Sequence, residues 1–194
     1  MKLALLSDPN TENGQAAIKA VLTSIATTNK HPQLTIGYIA SEPDPQREYF
    51  LQTQQMYQTL DATLSVYLEL ESGFSPSSLE ALLNCDAIHL SGGDTYRFLK
   101  AMQQQKLLPI LRQYAVNGGA LIGVSAGAML ITSSIESAAL CGDINHCQLI
   151  DFTALNLVDF MFAPHISPVR LESKSFKQQL SAFSQQICLC PDNA

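Results

Sequence analysis

The alternation of short apolar segments with segments of helical pattern constrains the fold of this chain more than any other feature. Five apolar runs suit strands that are buried on both faces: LALLS (3–7), LTIGYIAS (34–41), LSVYLEL (64–70), AIHLSGG (87–93) and ALIGVS (120–125). Because strands separated by helices pair in parallel, the pattern predicts an α/β fold. We expect a doubly wound, mostly parallel sheet with helices on both faces, as in flavodoxin-like three-layer sandwiches.

Charge and hydropathy exclude two classes of partner. The 194 residues carry a formal net charge of -6 and no basic run, so the electrostatic footprint of a nucleic-acid-binding protein is missing. No window approaches the roughly 18 apolar residues of a membrane span, and the segment MKLALLSDPN has too short an apolar stretch for a signal peptide. We therefore expect a cytoplasmic protein with no nucleic-acid or membrane partner.

The cysteines indicate neither a disulfide framework nor a metal site. There are five, at positions 85, 141, 147, 188 and 190, and no CxxC pair. A zinc site from Cys141, His146 and Cys147 matches no standard spacing. We predict buried, unreactive thiols and no bound metal.

Two motifs lie where predicted strands end. LSGGDT (90–95) closes the fourth strand, with Asp94 placed to cap the next helix, and GVSAGA (123–128) closes the fifth. Ligands of open parallel sheets bind beyond the carboxyl ends of the strands. The candidate site is therefore predicted at this edge.

Ser125 is the candidate nucleophile. The run from Gly123 to Gly127 is a G-x-S-x-G between a predicted strand and a predicted helix, the context of a nucleophile elbow. Such a turn exposes the hydroxyl, and the N–H of the next residue, Ala126, points to where an oxyanion would form. The alternative is that Ser125 is only a small residue at a tight corner.

A serine nucleophile needs a base and an acid that orients it. Among the four histidines, His31 lies in a polar linker, His89 in an apolar strand and His146 in a polar segment. His165 ends the run LVDFMFAPH, which reads as a sixth strand ending at the same sheet edge as Ser125. Spacing alone does not choose among four candidate acids: Glu136, Asp143, Asp151 and Asp159.

The segments HLSGGDTYRFLK, GVSAGAML and FAPHIS, in this order, resemble the dipeptidase E / cyanophycinase family of serine peptidases. The similarity extends from the first strand to about Phe183. The resemblance implies a fold like that of class I glutamine amidotransferases and a serine triad in chain order Ser, acid, His. It implies no cofactor.

The resemblance also implies roles for single residues. Ser125 matches the nucleophile, His165 the general base, and Gly93, beside Gly92, the oxyanion donor that acts with Ala126. Asp143 matches the acid, since it precedes His165 by twenty-two positions as in the family pattern, with Glu136 as the rival. Arg170 is the candidate cation for an aspartyl side chain, although it comes early in a shorter loop, and Lys174 is another.

The function implied is that of a serine exopeptidase acting on short peptides, with Asp-X dipeptides as one option. The alternatives are a cyanophycinase-like isopeptide hydrolase and a catalytically inactive binding protein on the same fold. The sequence reads as one domain, 1–194, that lacks the family's C-terminal hairpin. An edge uncovered in this way would favour a homodimer.

Overall fold

The computed structural model describes residues 1–27 and 33–193, so His31 lies outside the described residues. Seven strands are present within that part of the chain: β1 (Lys2–Leu6), β2 (Leu34–Ile39), β3 (Ala62–Leu68), β4 (Ala87–Leu90), β5 (Ala120–Val124), β6 (Met161–Ala163) and β7 (Ile187–Leu189). The same residues form nine helices: α1 (Glu12–Ala26), α2 (Glu48–Thr59), α3 (Pro76–Leu83), α4 (Thr95–Gln104), α5 (Leu107–Val116), α6 (Ala126–Ile131), α7 (Ala138–Cys141), α8 (Pro168–Glu172) and α9 (Lys174–Leu180).

The first five strands form one sheet in the order β1-β5-β4-β2-β3, and every pairing is parallel. Helices α1 and α2 pack on one face, while α3 to α6 cover the other, so two apolar cores enclose the sheet. The predicted α/β three-layer fold and its five central strands are confirmed.

The helix caps show how local sequence sets the element boundaries. The Asp94 side chain accepts a hydrogen bond from the Arg97 N–H at 3.0 Å and begins α4 as predicted. Ser75 caps α3 in the same way, with Pro76 at the first helical position. These caps fix where the strand ends give way to helix.

The sixth strand differs from the prediction. β6 is only three residues long and pairs with β7 in a separate two-stranded parallel sheet, not with the central sheet. A small core of Leu140, Ala163, Ile166 and Phe176 supports it. His165 is therefore brought to the central sheet by a separate small layer.

Serines follow four of the central strands directly or closely. They are Ser7 after β1, Ser41 after β2, Ser91 after β4 and Ser125 after β5. Because Leu6 is level with Val124 and Leu90 with Gly123, the ends of β1, β5 and β4 meet at one edge. The fold thus gathers small hydroxyl side chains around the predicted site.

Candidate active site

Ser125 lies at a sharp corner between β5 and α6. Its backbone has φ 50° and ψ -110°, an unusual conformation for a residue other than glycine. The Ser125 N–H donates to the Leu6 carbonyl at 2.8 Å, which ties the corner to β1. Such strained conformations persist only where the surrounding structure enforces them, and they concentrate at functional sites.

The flanking glycines are required by close backbone packing. A Cβ on Gly123 would lie 2.5 Å from the Gly127 carbonyl oxygen, and a Cβ on Gly127 would lie 2.2 Å from the Leu90 carbonyl oxygen. Both separations are shorter than carbon and oxygen tolerate without a bond. The G-x-S-x-G pattern is therefore a packing requirement of the corner that presents Ser125.

His165 faces Ser125 from the loop after β6. Its Nε2 lies 2.9 Å from the Ser125 Oγ, within hydrogen-bonding distance. The histidine has φ 60°, and its backbone N–H donates to the Ser7 Oγ at 2.8 Å. The Ser125 and His165 positions predicted from sequence are brought together in the geometry of a nucleophile and its base.

Asp192 completes this arrangement from the turn after β7. Its Oδ1 lies 2.5 Å from the His165 Nδ1 and accepts a hydrogen bond from the Ser7 hydroxyl at 2.7 Å. The Ser7 hydroxyl, and after it His165, hold the pKa of Asp192 below its usual range. A charged carboxylate at Nδ1 favours the tautomer in which Nε2 is free to accept the serine proton.

The choice of Asp143 as the orienting acid is wrong in this geometry. The Asp143 carboxylate follows α7 and accepts a hydrogen bond from the Thr95 hydroxyl at 2.5 Å. Glu136, the rival, has its backbone N–H bonded to the Ser134 Oγ. Among the described residues, the carboxylate at His165 Nδ1 is that of Asp192.

Two residues of this site escaped the sequence analysis. Asp192 lies after His165 in the chain, whereas all four predicted acids lie between Ser125 and His165. The signal was the segment PDNA, which begins a turn directly after an apolar CLC run. Ser7 could have been found by noting that a strand paired with β5 must end beside Ser125.

The glycines of SGGDT lie next to the nucleophile. A Cβ on Gly92 would lie 3.5 Å from the Ser125 Cβ, so the two strand ends are in contact. Gly93 has φ 136°, and a Cβ there would lie 2.1 Å from the Ser41 Oγ. The Ser41 hydroxyl donates to the Gly92 carbonyl at 2.7 Å, which fixes this loop. Gly92 and Gly93 thus adjoin Ser125, and Ala126 follows it at the start of α6.

Arg170 does not lie where a substrate-binding cation was expected. Its guanidinium packs over the Phe176 ring, 5.3 Å from the ring centroid, at the end of α8. The residue is absent from the described lining of the cavity that opens on Ser125, as is Lys174. The short α8–α9 layer turns this segment toward its own small core.

A cavity of about 680 Å³ opens directly on Ser125 and His165. Its floor includes Tyr38, Met56 and His89, and its rim carries the carboxylates of four residues: Asp8, Glu42, Asp44 and Glu48. This volume is in the range that holds a small ligand.

Other expectations concern metal and membrane. Among residues 1–27 and 33–193, no group of three or more His, Cys, Asp or Glu side chains is placed to hold a metal ion. Within the same ranges, no helix combines the length and hydropathy that crossing a bilayer needs. Of the cysteines, only Cys85 is buried as predicted; Cys188 is exposed and the other three are half-buried.

Comparison with known proteins places this geometry in a family. Residues 3–192 match the sequence model of peptidase family S51. An uncharacterized peptidase of Pasteurella multocida is 30% identical over 123 residues, covering 63% of this chain and 56% of that protein. Peptidase E of a Nostoc species is 28% identical over 116 residues, covering 60% of this chain and 47% of that protein. The chain thus spans about half the length of the curated relatives it matches.

Solved structures show the same fold. A crystal structure of a peptidase E candidate from Listeria monocytogenes superimposes with a TM-score of 0.72 at 22% identity, covering 99% of this chain and 91% of that chain. A peptidase from an acI-B1 Actinobacterium gives a TM-score of 0.56 at 16% identity, covering 96% and 78%. The family match across most of the chain confirms the resemblance read from its motifs. This chain belongs to peptidase family S51.

Proposed function

We propose that this protein is a serine exopeptidase that hydrolyses short peptides through an acyl-enzyme on Ser125. One observation carries the proposal: Ser125 Oγ is 2.9 Å from His165 Nε2, while Asp192 contacts the other ring nitrogen. The family membership supports a peptidase, and the cavity beside Ser125 has the size of a short ligand.

Acylation begins with proton transfer. His165 Nε2 takes the hydroxyl proton of Ser125 as Oγ bonds to the scissile carbonyl carbon. Asp192 remains ionised and stabilises the imidazolium, since its pKa is held low by Ser7 and His165. The tetrahedral intermediate collapses when the C–N bond breaks and His165 returns the proton to the leaving amine.

The oxyanion is stabilised by backbone donors. We assign this role to the N–H groups of Gly93 and Ala126, on the two sides of Ser125. Each such donor contributes about 3–4 kcal/mol in comparable sites. The positive φ of Gly93 is a backbone conformation that other residues rarely adopt. A glycine is therefore needed at this position for its backbone conformation as well as for close packing.

Deacylation repeats the same steps with water. His165 removes a proton from the water that attacks the ester carbonyl, and then protonates the Ser125 Oγ as the carboxylic acid product leaves. In this proposal His165 is both the proton acceptor and the proton donor of acylation and deacylation.

A mass-spectrometric survey of a mixed dipeptide and tripeptide library tests the proposal. The wild-type protein and a folded Ser125→Ala variant are incubated with the library in parallel. We expect cleavage by the wild type alone, with products that identify the preferred first residue. Equal cleavage by both proteins, or by neither, would contradict a Ser125 peptidase.

A further inference from the structure

The cavity beside Ser125 is acidic. Four carboxylate residues lie on its rim, and the described residues that line it include neither lysine nor arginine. Arg97 forms ion pairs with two carboxylates, Glu42 at 3.0 Å and Glu71 at 2.6 Å. This group of one cation and two carboxylates therefore keeps a net negative charge.

Glu42 lies near the reacting centre. A Cβ built on Gly93 would be 3.9 Å from the Glu42 Oε1, and the neighbouring Gly92 contacts the Ser125 side chain. When the first residue of a peptide is the one transferred to Ser125, its α-nitrogen is two bonds from the scissile carbonyl carbon, about 2.5 Å away. An ammonium group at that position lies within reach of a carboxylate beside Gly93.

The floor of the cavity offers a second, independent feature. His89 is only 3% exposed, and the buried Tyr57 hydroxyl lies 3.0 Å from its Nδ1. His89 Nε2 makes no hydrogen bond to the described residues. Every fully buried side-chain nitrogen or oxygen of those residues does have a hydrogen-bond partner. Nε2 is therefore not fully buried, and it faces the cavity that His89 lines. The hydrogen bond between Tyr57 and His89 determines the tautomer of the imidazole.

Tyr57 must donate to His89 Nδ1, since its buried hydroxyl has that nitrogen as its acceptor. The proton of the neutral imidazole is then on Nε2, which presents an N–H donor to the cavity. Tyr38 stacks on the His89 ring with centroids 5.2 Å apart and holds it in place. The floor therefore presents an uncharged N–H donor on His89 beside the aromatic ring of Tyr38.

We propose that Glu42 binds the α-ammonium group of the substrate's first residue, and that the floor at His89 selects an uncharged first side chain bearing a hydrogen-bond acceptor, as in asparagine or glutamine. This inference rests on the proposed peptidase function. An aspartyl side chain would enter an acidic cavity whose described lining residues include no lysine or arginine to pair with it, which makes the Asp-X option the disfavoured one.

The test compares matched dipeptides: Asn-Ala, Asp-Ala, Leu-Ala and N-acetyl-Asn-Ala. We expect kcat/KM for Asn-Ala to exceed that for Asp-Ala at least tenfold, and acetylation to reduce it at least a hundredfold. Asp-Ala cleaved as well as Asn-Ala, or the acetylated peptide cleaved as well as the free one, would overturn the inference.

Glu42→Gln and Glu71→Gln form a matched pair, because both residues bind Arg97 but only Glu42 lines the cavity. We expect Glu42→Gln to lower kcat/KM for Asn-Ala about tenfold and Glu71→Gln to change it less than twofold. Equal effects would overturn the assignment of Glu42.

For His89→Leu, the readout is the ratio of kcat/KM for Asn-Ala to that for Leu-Ala, which loss of folded protein does not alter. We expect this ratio to fall, and an unchanged ratio would overturn the role of His89.

Labelling with a fluorophosphonate separates this inference from the proposed function. If Ser125 is labelled but Asp-Ala is preferred, or none of the four peptides is cleaved, the inference fails while the nucleophile assignment stands. If Ser125 is not labelled and no peptide is cleaved, both fail together.

Discussion

The corner that carries Ser125 and the segment that carries His165 and Asp192 are built in different ways. The corner is formed by contiguous residues 123–127 between β5 and α6, and the residues around Ser125 are buried. By contrast, the His165 and Asp192 side chains are 46% and 56% exposed and extend from a sheet of two three-residue strands.

This difference teaches that the two halves of the site depend on different forces. The position of Ser125 is maintained by core packing, so changes there are expected to reduce stability. The orientation of His165 depends on a few hydrogen bonds at the surface, from its backbone N–H to the Ser7 Oγ and between its Nδ1 and Asp192. Changes there are expected to reduce activity while the fold persists.

Asp192→Asn is the change with the largest expected effect. An amide at this position favours the wrong tautomer of His165, and we expect kcat to fall by roughly 10⁴. The melting temperature should shift little, since the side chain is exposed. Kinetics on the best dipeptide of the library survey, with Asp143→Asn as the matched control, measure this. A greater loss in Asp143→Asn than in Asp192→Asn would refute the assignment.

Gly127→Ala tests the packed half of the comparison. Because a Cβ there would lie 2.2 Å from the Leu90 carbonyl oxygen, we expect a loss of about 3 kcal/mol in the free energy of unfolding. Gly118→Ala is the control: its φ is 104° but nothing lies within 4 Å of the added Cβ. We expect the control to lose only about 1 kcal/mol. Chemical denaturation gives both values, and similar losses would show that close packing does not shape the corner.

Ser7→Ala sharpens the comparison by removing one shared partner of His165 and Asp192. We expect kcat to fall about tenfold and the pKa of Asp192 to rise toward its ordinary value, because the Ser7 hydroxyl is the main cause that lowers it. The Asp192 contribution to stability is present above the ordinary pKa and is lost as pH falls through the lowered one, and it should be smaller in the variant because the two pKa values lie closer together.

Carboxyl chemical shifts followed by NMR against pH measure this change. Ser7→Thr keeps the hydroxyl and should restore both kcat and the low pKa of Asp192. The pKa of Asp151, which is lowered by Thr153, serves as an internal reference that should not move in any of these variants. A normal kcat in Ser7→Ala would remove Ser7 from the positioning network.

His89 is expected to make the stability of the protein depend on pH, with no direct effect on the nucleophile. Burial lowers its pKa to about 3 from the ordinary value of 6.5. Between these pH values the unfolded chain binds a proton at this position and the folded protein does not. Stability should therefore decline as pH falls through this window, by about 1 kcal/mol per pH unit from this group. Urea unfolding of wild type and His89→Gln at several pH values measures the slope, which should be shallower in the variant.

Sequence predicted the parts of the molecule that contiguous residues determine. The five central strands, the Asp94 cap and the Ser125 corner all follow from local patterns, and His165 followed from its place after an apolar run. Asp192 and Ser7 did not, because their roles depend on which chain segments meet at the sheet edge. Ser7 is 158 positions from His165, and Asp192 is reached only through β7.

Arg170 is a case in which sequence predicted a site residue that the fold directs elsewhere. Its place soon after His165 in sequence indicated a substrate contact, but the short helices α8 and α9 pack its guanidinium on Phe176. Proximity in sequence to a site residue does not determine direction in space. The charge of the cavity instead comes from the loops after β1 and β2 and from the start of α2.

The most direct test of the central claim is the rate at which a fluorophosphonate labels the protein, with the modified residue identified by peptide mass spectrometry. The account predicts a single adduct on Ser125, formed at similar rates in wild type and Asp143→Asn. Labelling should be at least a hundredfold slower in His165→Gln and Asp192→Asn. An adduct on another residue, or a wild-type rate in the His165 and Asp192 variants, would contradict a Ser125–His165–Asp192 triad.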